Sequence, residues 1–383
     1  MTPYVGVFLA TAAAVVVVTP LVRWFAVKVG AIDRPSDRKV HPKPTPTLGG
    51  LGLLAGVLVG LAVAFFFPEF RRLFRQTYEL HGTVLAAVAI TGVGLVDDLR
   101  ALPAPAKAAG QILAAGVLIL AGVELLFFWF PTQGVISLGP DLAVPLTVGW
   151  VLLTVNAVNL IDGLDGLAAG IVVIAASAFF VWVYVEPSSF PESTQTAALL
   201  CAVAAGASLG FLPYNFYPAR IFMGDSGAML LGLLLASATI AGVGRTVQPH
   251  GAAVAAFAIP VLIPVFVLAV PLVDVALAVI RRLRRGRPVF APDKEHIHHQ
   301  LREIGHTHRR AVLLMYYWAI LLAGSGLAVS FVNGRWIVWS ILVASLALIA
   351  ATLVPRRIRE RRRARRGAAT QPLTEAEVGP KPA

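Results

Sequence analysis

Five aspartates carry the chemistry that this sequence offers: the adjacent pair Asp97-Asp98, the pair Asp162 and Asp165, and Asp225 in Gly224-Asp225-Ser226-Gly227. Adjacent carboxylates at a membrane boundary repel one another, and both stay ionised only where a cation or a shared proton compensates. In 156–166 the polar residues Asn156, Asn159, Asp162 and Asp165 recur every three positions, so on a helical turn they share one face. A tight turn or interhelical hydrogen-bonding glue needs fewer groups than these four. Gly-Asp-Ser-Gly directly before an apolar run sets an acid, a hydroxyl and backbone amides at a helix start, which suits an oxygen-rich ligand. Taken alone, Asp225 reads equally as an N-cap. Phe222, just upstream, is an aromatic that either stacks on a base or lines the interface. A further stretch, Asp293-Lys294-Glu295-His296-Ile297-His298-His299, holds three histidines but has no second group of soft ligands, so binding of a phosphate or diphosphate fits better than zinc. An acidic cluster of hard oxygens that keeps waters and accepts substrate phosphates is what Mg²⁺ prefers, and phosphoryl transfer follows from it.

These residues have to be positioned by elements that live in lipid. Of 383 residues 57% are hydrophobic and 14% charged, too apolar a balance for a soluble domain of this length. The expected fold is an all-α polytopic membrane protein of about eleven transmembrane helices, on runs near 4–28, 48–67, 83–96, 107–128, 145–161, 166–185, 195–212, 226–244, 252–280, 311–331 and 335–354. The ninth run carries Pro260, Pro264 and Pro271 and should be kinked or broken. The first is too long for a signal-peptide core and is kept as a mature helix. With an odd number of crossings, 25 of the 32 Lys and Arg fall on one side, in loops 29–47, 97–107, 212–225 and 281–310 and in the tail. That side is expected to be cytoplasmic, with the N-terminus outside and the C-terminus inside. Every polar cluster then lands on the cytoplasmic face, in loops 29–47, 97–107, 156–166, 212–226 and 281–310. Residues 1–354 read as a single transmembrane domain and 355–383 as a basic, disordered cytoplasmic tail. The formal charge of +12 resides in loops and tail, which points to anionic lipid headgroups and not to nucleic acid. The lone Cys201 excludes a disulfide framework or a cysteine metal site.

In the order Asp33-Arg34-Pro35, Pro46 to Gly50, Asp97-Asp98, 156–166, 222–227 and 292–299, the chain resembles the polyprenyl-phosphate N-acetylhexosamine-1-phosphate transferases, which start bacterial cell-envelope glycans. The resemblance spans residues 30–354. His-Ile-His-His is similar to the branch that uses UDP-N-acetylglucosamine, the initiators of teichoic acid, O-antigen and arabinogalactan linkage units. It implies transfer of N-acetylglucosamine-1-phosphate to polyprenyl phosphate, undecaprenyl or decaprenyl, with UMP released, at a bacterial inner or plasma membrane. It implies Mg²⁺, with Mn²⁺ as a substitute, at Asp225 together with Asp97 and Asp98, the latter two holding or deprotonating the lipid phosphate. It further implies a nucleotide pocket of Asn159, Asp162, Asp165, Asn215 and Phe222. His296, His298 and His299 would contact the diphosphate and Lys43 the uridine side. Asp274 is a second-tier site, and a homodimer is the family's suggestion. The peptidoglycan branch, which transfers phospho-N-acetylmuramoyl-pentapeptide, carries a lysine soon after its paired aspartates; Arg100 and then Lys107 occupy that region, so Lys107 stands outside the expected site. A cation-coupled transporter, the rival from another class, would put its acids near the midplane and show matching halves.

Overall fold

In hydrocarbon a chain must satisfy its own backbone, so long apolar runs fold as helices and end where proline, glycine or charge allows. The computed structural model describes residues 1–34, 44–130, 134–185, 191–243, 265, 268–284, 301, 305–331, 339–350 and 352. Its helices are α1 (Thr2–Lys28), α2 (Gly49–Phe66), α3 (Arg71–Gln76), α4 (Glu79–Arg100), α5 (Ala104–Leu120), α6 (Pro140–Ile161), α7 (Leu167–Val185), α8 (Pro191–Asn215), α9 (Gly224–Val243), α10 (Ala269–Arg284), α11 (His308–Phe331) and α12 (Trp339–Ala350). Among the described residues, eight of these are long and apolar enough to cross a membrane, and they fall on eight of the eleven expected runs. The third and fifth runs, short as read from hydropathy, are full helices of 22 residues each. α5 and α12 are shorter apolar helices on the fourth and eleventh runs. α10 covers the end of the ninth, with Pro271 in its first turn, where a missing N–H breaks no helical bond. Pro260 and Pro264 lie outside the described residues.

The fourth run departs from expectation, because its helix stops at Leu120 and does not continue to 128. Gly122 takes φ +87, and the N–H of Val123 donates back to the carbonyl of Leu118 at 2.8 Å, a Schellman closure that turns the chain out of the helix. The aromatic run then pairs as a hairpin, β3 (Phe127–Phe130) antiparallel to β4 (Gly134–Ser137). A smaller ladder joins β1 (Ile32–Asp33) to β2 (Thr45–Pro46). These two short ladders lie beside a bundle that is otherwise all-α, as expected.

α9 is the axis of the bundle: it packs against α2, α4, α6 and α8, and 89% of Gly224–Gly242 is buried inside the protein. Small residues let the backbones meet, as membrane helices without a hydrophobic driving force require. A Cβ on Gly94 of α4 would lie 2.4 Å from Ser226 Cα, whereas one on Gly92 would meet nothing within 4 Å. Gly94→Ala is therefore expected to destabilise the detergent-solubilised protein by about 1–3 kcal/mol through overpacking, with Gly92→Ala as the neutral control. Equal melting temperatures for the two variants would show that the α4–α9 contact is not as close as described.

Candidate active site

Among the described residues, helix ends gather at one end of the bundle, because the helices alternate in direction: the C-terminal ends of α1, α4, α6 and α8 and the N-terminal ends of α2, α5, α7 and α9. Between them opens a cavity of about 700 Å³, a size typical of small-ligand sites. Asp98, Asn159, Asp162, Asp165, Asn215, Phe222 and Asp225 all line it, together with Asp33, which the sequence reading placed only in a motif. Four of the five aspartates thus share one cavity, and the fifth, Asp97, adjoins it through Lys107.

Asp97 and Asp98 stand at the C-terminal end of α4, where the helix dipole disfavours anions. Their compensation comes from neighbouring helices. Asp98 Oδ1 accepts from the N–H of Asp225 at 2.7 Å, and its Oδ2 accepts from the Ser226 hydroxyl at 2.7 Å and the Ser226 N–H at 3.2 Å. Asp98 therefore caps α9 from another helix. Gly224 makes this possible: with φ +70, it would place any Cβ 2.4 Å from Asp98 Oδ2. Asp225 is not the cap that its position in the sequence allowed; it sits in the first turn and lines the cavity, its carboxylate held by neighbouring helices.

Asp97 points the other way. Its Oδ1 accepts from the N–H of Leu102 at 2.6 Å, and its Oδ2 accepts from Lys107 Nζ at 2.6 Å. The same ammonium also pairs with Asp225 Oδ2, and Asn159 Nδ2 donates to Asp225 Oδ1 at 3.0 Å. Lys107 is thus the cation between two carboxylates, and it is the residue that sequence reasoning passed over. Its signal was present: it is the only charged residue of α5, and a lone lysine in an apolar helix rarely lacks a partner.

The 156–166 row does not run along one helical face, because α6 ends at Ile161 and the rest is a turn. Asn156 stays inside the bundle and pairs with Gln111. Asp162, which follows the helix, is half-buried in the cavity wall; desolvation, then the charges of Asp225, Asp98 and Asp165, push its carboxyl well above the usual carboxylate range. Asp165 bends back, its Oδ2 accepting from the N–H of Ala219 at 2.9 Å and its Oδ1 lying 4.0 Å from His308 Nε2. Asn215 holds the turn from below, accepting from the N–H of Gly166 at 3.1 Å and donating to the Ile221 carbonyl at 3.2 Å. Tyr316 of α11 donates its hydroxyl to the Gly166 carbonyl. Lys43, His296, His298 and His299 lie outside the described residues, as does the Asp274 side chain.

The donor set is hard oxygen, which fits Mg²⁺. Among the described residues no three acidic, histidine or cysteine side chains converge tightly enough to enclose an ion by themselves. Mg²⁺ is held by one or two carboxylates and completed by waters and substrate phosphates, so the expected set of Asp97, Asp98 and Asp225 does not by itself enclose an ion.

A bundle of apolar helices with an acid-lined cavity at one end and a lysine adjoining it is a polytopic membrane protein with a site suited to phosphate groups. The model of glycosyl transferase family 4 matches residues 80–243, the segment that contains Asp97 to Asp225. The chain is 40% identical over 340 residues to the decaprenyl-phosphate N-acetylglucosaminephosphotransferase of Mycobacterium tuberculosis strain H37Rv, covering 87% of this chain and 84% of that one. It is 37% identical over 311 residues to a probable undecaprenyl-phosphate N-acetylglucosaminyl 1-phosphate transferase of Bacillus subtilis strain 168, covering 81% and 80%. It is 33% identical over 315 residues to a phospho-N-acetylmuramoyl-pentapeptide-transferase of Desulforudis audaxviator, covering 76% and 86%. The chain belongs to glycosyl transferase family 4, among the polyprenyl-phosphate N-acetylhexosamine-1-phosphate transferases.

Because Asp98 satisfies the first amides of α9, Asp98→Ala should cost about 1–3 kcal/mol for the donors left unpaired. Asp98→Asn, which keeps one acceptor oxygen, should recover part of that loss. Thermal unfolding in micelles measures both; an Asp98→Ala protein as stable as the wild type would remove the cap from the account.

Proposed function

We propose that the protein transfers N-acetylglucosamine-1-phosphate from UDP-N-acetylglucosamine to a polyprenyl phosphate, undecaprenyl or decaprenyl, releasing UMP. This is the first membrane step of a cell-envelope glycan. The observation that carries the reading is Asp225, held at the start of α9 by Asp98 and bonded there to Lys107 and Asn159 beside an acid-lined cavity. The two N-acetylglucosamine-phosphate-transferring relatives, at 40% and 37% identity, support the sugar.

In this mechanism an oxygen of the lipid phosphate attacks the β-phosphorus, a new phosphorus–oxygen bond forms, and the bond to the α-phosphate oxygen breaks, so that UMP departs. A phosphate monoester is largely dianionic at neutral pH, so the nucleophile needs orientation and charge compensation more than a base. Lys107 supplies compensation next to Asp97, and Asp98 acts by fixing Asp225. Asp225 with Asp97 would hold Mg²⁺, or Mn²⁺ in its place; when bound, the ion neutralises the diphosphate as its charge redistributes. Asn159, Asp162, Asp165, Asn215 and Phe222 form the nucleotide side. His296, His298 and His299 reach the diphosphate and Lys43 the uridine, roles that rest on the family resemblance. The eleven spans rest on the apolar runs, the orientation with the N-terminus outside and the C-terminus and active site cytoplasmic on the bias of Lys and Arg, and the bacterial plasma membrane on the family resemblance. A homodimer rests on the family alone.

Asp225→Ala is expected to abolish Mg²⁺-dependent UMP release while the purified protein keeps its wild-type melting temperature to within a few degrees. Undiminished turnover would refute the role given to Asp225. The Desulforudis relative keeps phospho-N-acetylmuramoyl-pentapeptide in view as a second donor. Assayed side by side with one polyprenyl phosphate, UDP-N-acetylglucosamine should be consumed and the muramoyl-pentapeptide nucleotide should not; the reverse preference would move the protein to the peptidoglycan branch.

A further inference from the structure

One helical turn deeper in the bundle than Lys107, Asn159 and Asp225, the same three helices meet again through Gln111, Asn156 and Met229. Gln111 follows Lys107 by four residues on α5, Asn156 precedes Asn159 by three on α6, and Met229 follows Asp225 by four on α9, so each member of the second triangle lies under its counterpart in the first. Asn156 Nδ2 donates to Gln111 Oε1 at 2.7 Å, and Gln111 Nε2 returns a bond to Asn156 Oδ1 at 3.4 Å. The same Gln111 nitrogen lies 3.4 Å from Met229 Sδ. Asn156 also donates to the carbonyl of Leu152 at 2.8 Å, which fixes its rotamer. Gln111 is 1% exposed.

Two amides in an apolar bundle are costly unless each satisfies the other, and in membranes such interhelical bonds return little net stability. Apolar side chains of the same volume would pack this level as well. What the amide pair adds is direction: a reciprocal amide contact has one geometry, and sliding or rotating α5 against α6 breaks it.

We propose that the Gln111–Asn156 pair is a positioning device that sets the register of α5 against α6 and α9, and thereby holds Lys107 between Asp97 and Asp225. Neither amide touches substrate; both act through Lys107. Lys107 needs such a device because it stands near the start of α5, close behind the Pro103 cap, and its ammonium has to satisfy carboxylates on two different helices. A shift of about 1 Å in such a group is enough to cost on the order of 100-fold in rate.

The proposal rests on the transferase reading for its kinetic arm and is independent of it for its chemical arm. Gln111→Met preserves volume and Asn156→Leu removes the other amide; the reciprocal swap Gln111→Asn with Asn156→Gln keeps the total reach of the pair. In the full-length protein in micelles, the single variants should lose about 10- to 100-fold in kcat with the KM for nucleotide sugar changed less than about threefold, and the swap should restore much of the loss. Independently, labelling by an amine-acylating reagent, read at the Lys107 peptide, should be several-fold faster in the single variants and near wild type in the swap. If the wild type shows no turnover, the transferase reading fails, and the labelling alone decides the positioning role. Where one single variant does not fold, the other and the swap carry the test. Folded single variants with wild-type kcat and wild-type Lys107 labelling would overturn the proposal, as would a folded swap no better than either of them.

Discussion

A helix that begins inside a membrane protein leaves its first amides without partners, and the way α9 resolves this shapes everything around it. Its donors go to the carboxylate of Asp98, which is anchored at the end of α4. The loop before it is gripped from the other side: the N–H groups of Gly49 and Gly50, at the start of α2, donate to the carbonyls of Phe222 and Met223, each at 2.9 Å, and the N–H of Phe222 donates to the Pro46 carbonyl. Two helix starts and the Asp98 side chain at one helix end thus meet around the same loop. In a low-dielectric setting each unpaired group would be expensive, so the arrangement has little freedom to relax. Asp225 inherits its position from that rigidity.

The adjacent acids divide their work by geometry. Successive residues on a helix point about 100° apart, so Asp97 and Asp98 cannot serve one ligand equally. One turns to α5 and meets Lys107; the other turns to α9 and meets backbone. A sequence in which the two look interchangeable therefore encodes a charged contact and a structural cap, side by side. The doublet becomes intelligible as a junction between two neighbouring helices, with no need for both carboxylates to hold the same ion.

Acids are legible in an apolar sequence because the bilayer makes them costly. Asp97, Asp98, Asp162, Asp165 and Asp225 can be grouped from the sequence alone, since acids at the ends of apolar runs need a common solvent or ligand. Lys107 was harder to read: one lysine past a proline looks like a boundary residue, and only the return of α9 brings Asp225 to it. The three-residue spacing from Asn156 to Asp165 misled for a related reason. Periodicity says which residues would align if the helix continued, and α6 stops at Ile161, so Asn156 turns inward to Gln111 while Asp165 folds back to Ala219. Hydropathy found where helices lie better than where they end. The fourth run extends past Gly122 to 128 because Val123 to Phe128 are nearly as apolar as a span, although Phe127 and Phe128 belong to a strand.

The contacts of α11 with the turn at 165–166 bear on how the protein is made. Tyr316 reaches the Gly166 carbonyl across 150 positions of chain, and His308 approaches Asp165 while stacking on Tyr217. Helices α1 to α9 can enter the bilayer and associate as they leave the ribosome, but this wall of the cavity acquires its outer support only when translation has passed residue 316. A nascent chain halted before that point would carry the 165–166 turn without its brace from α11.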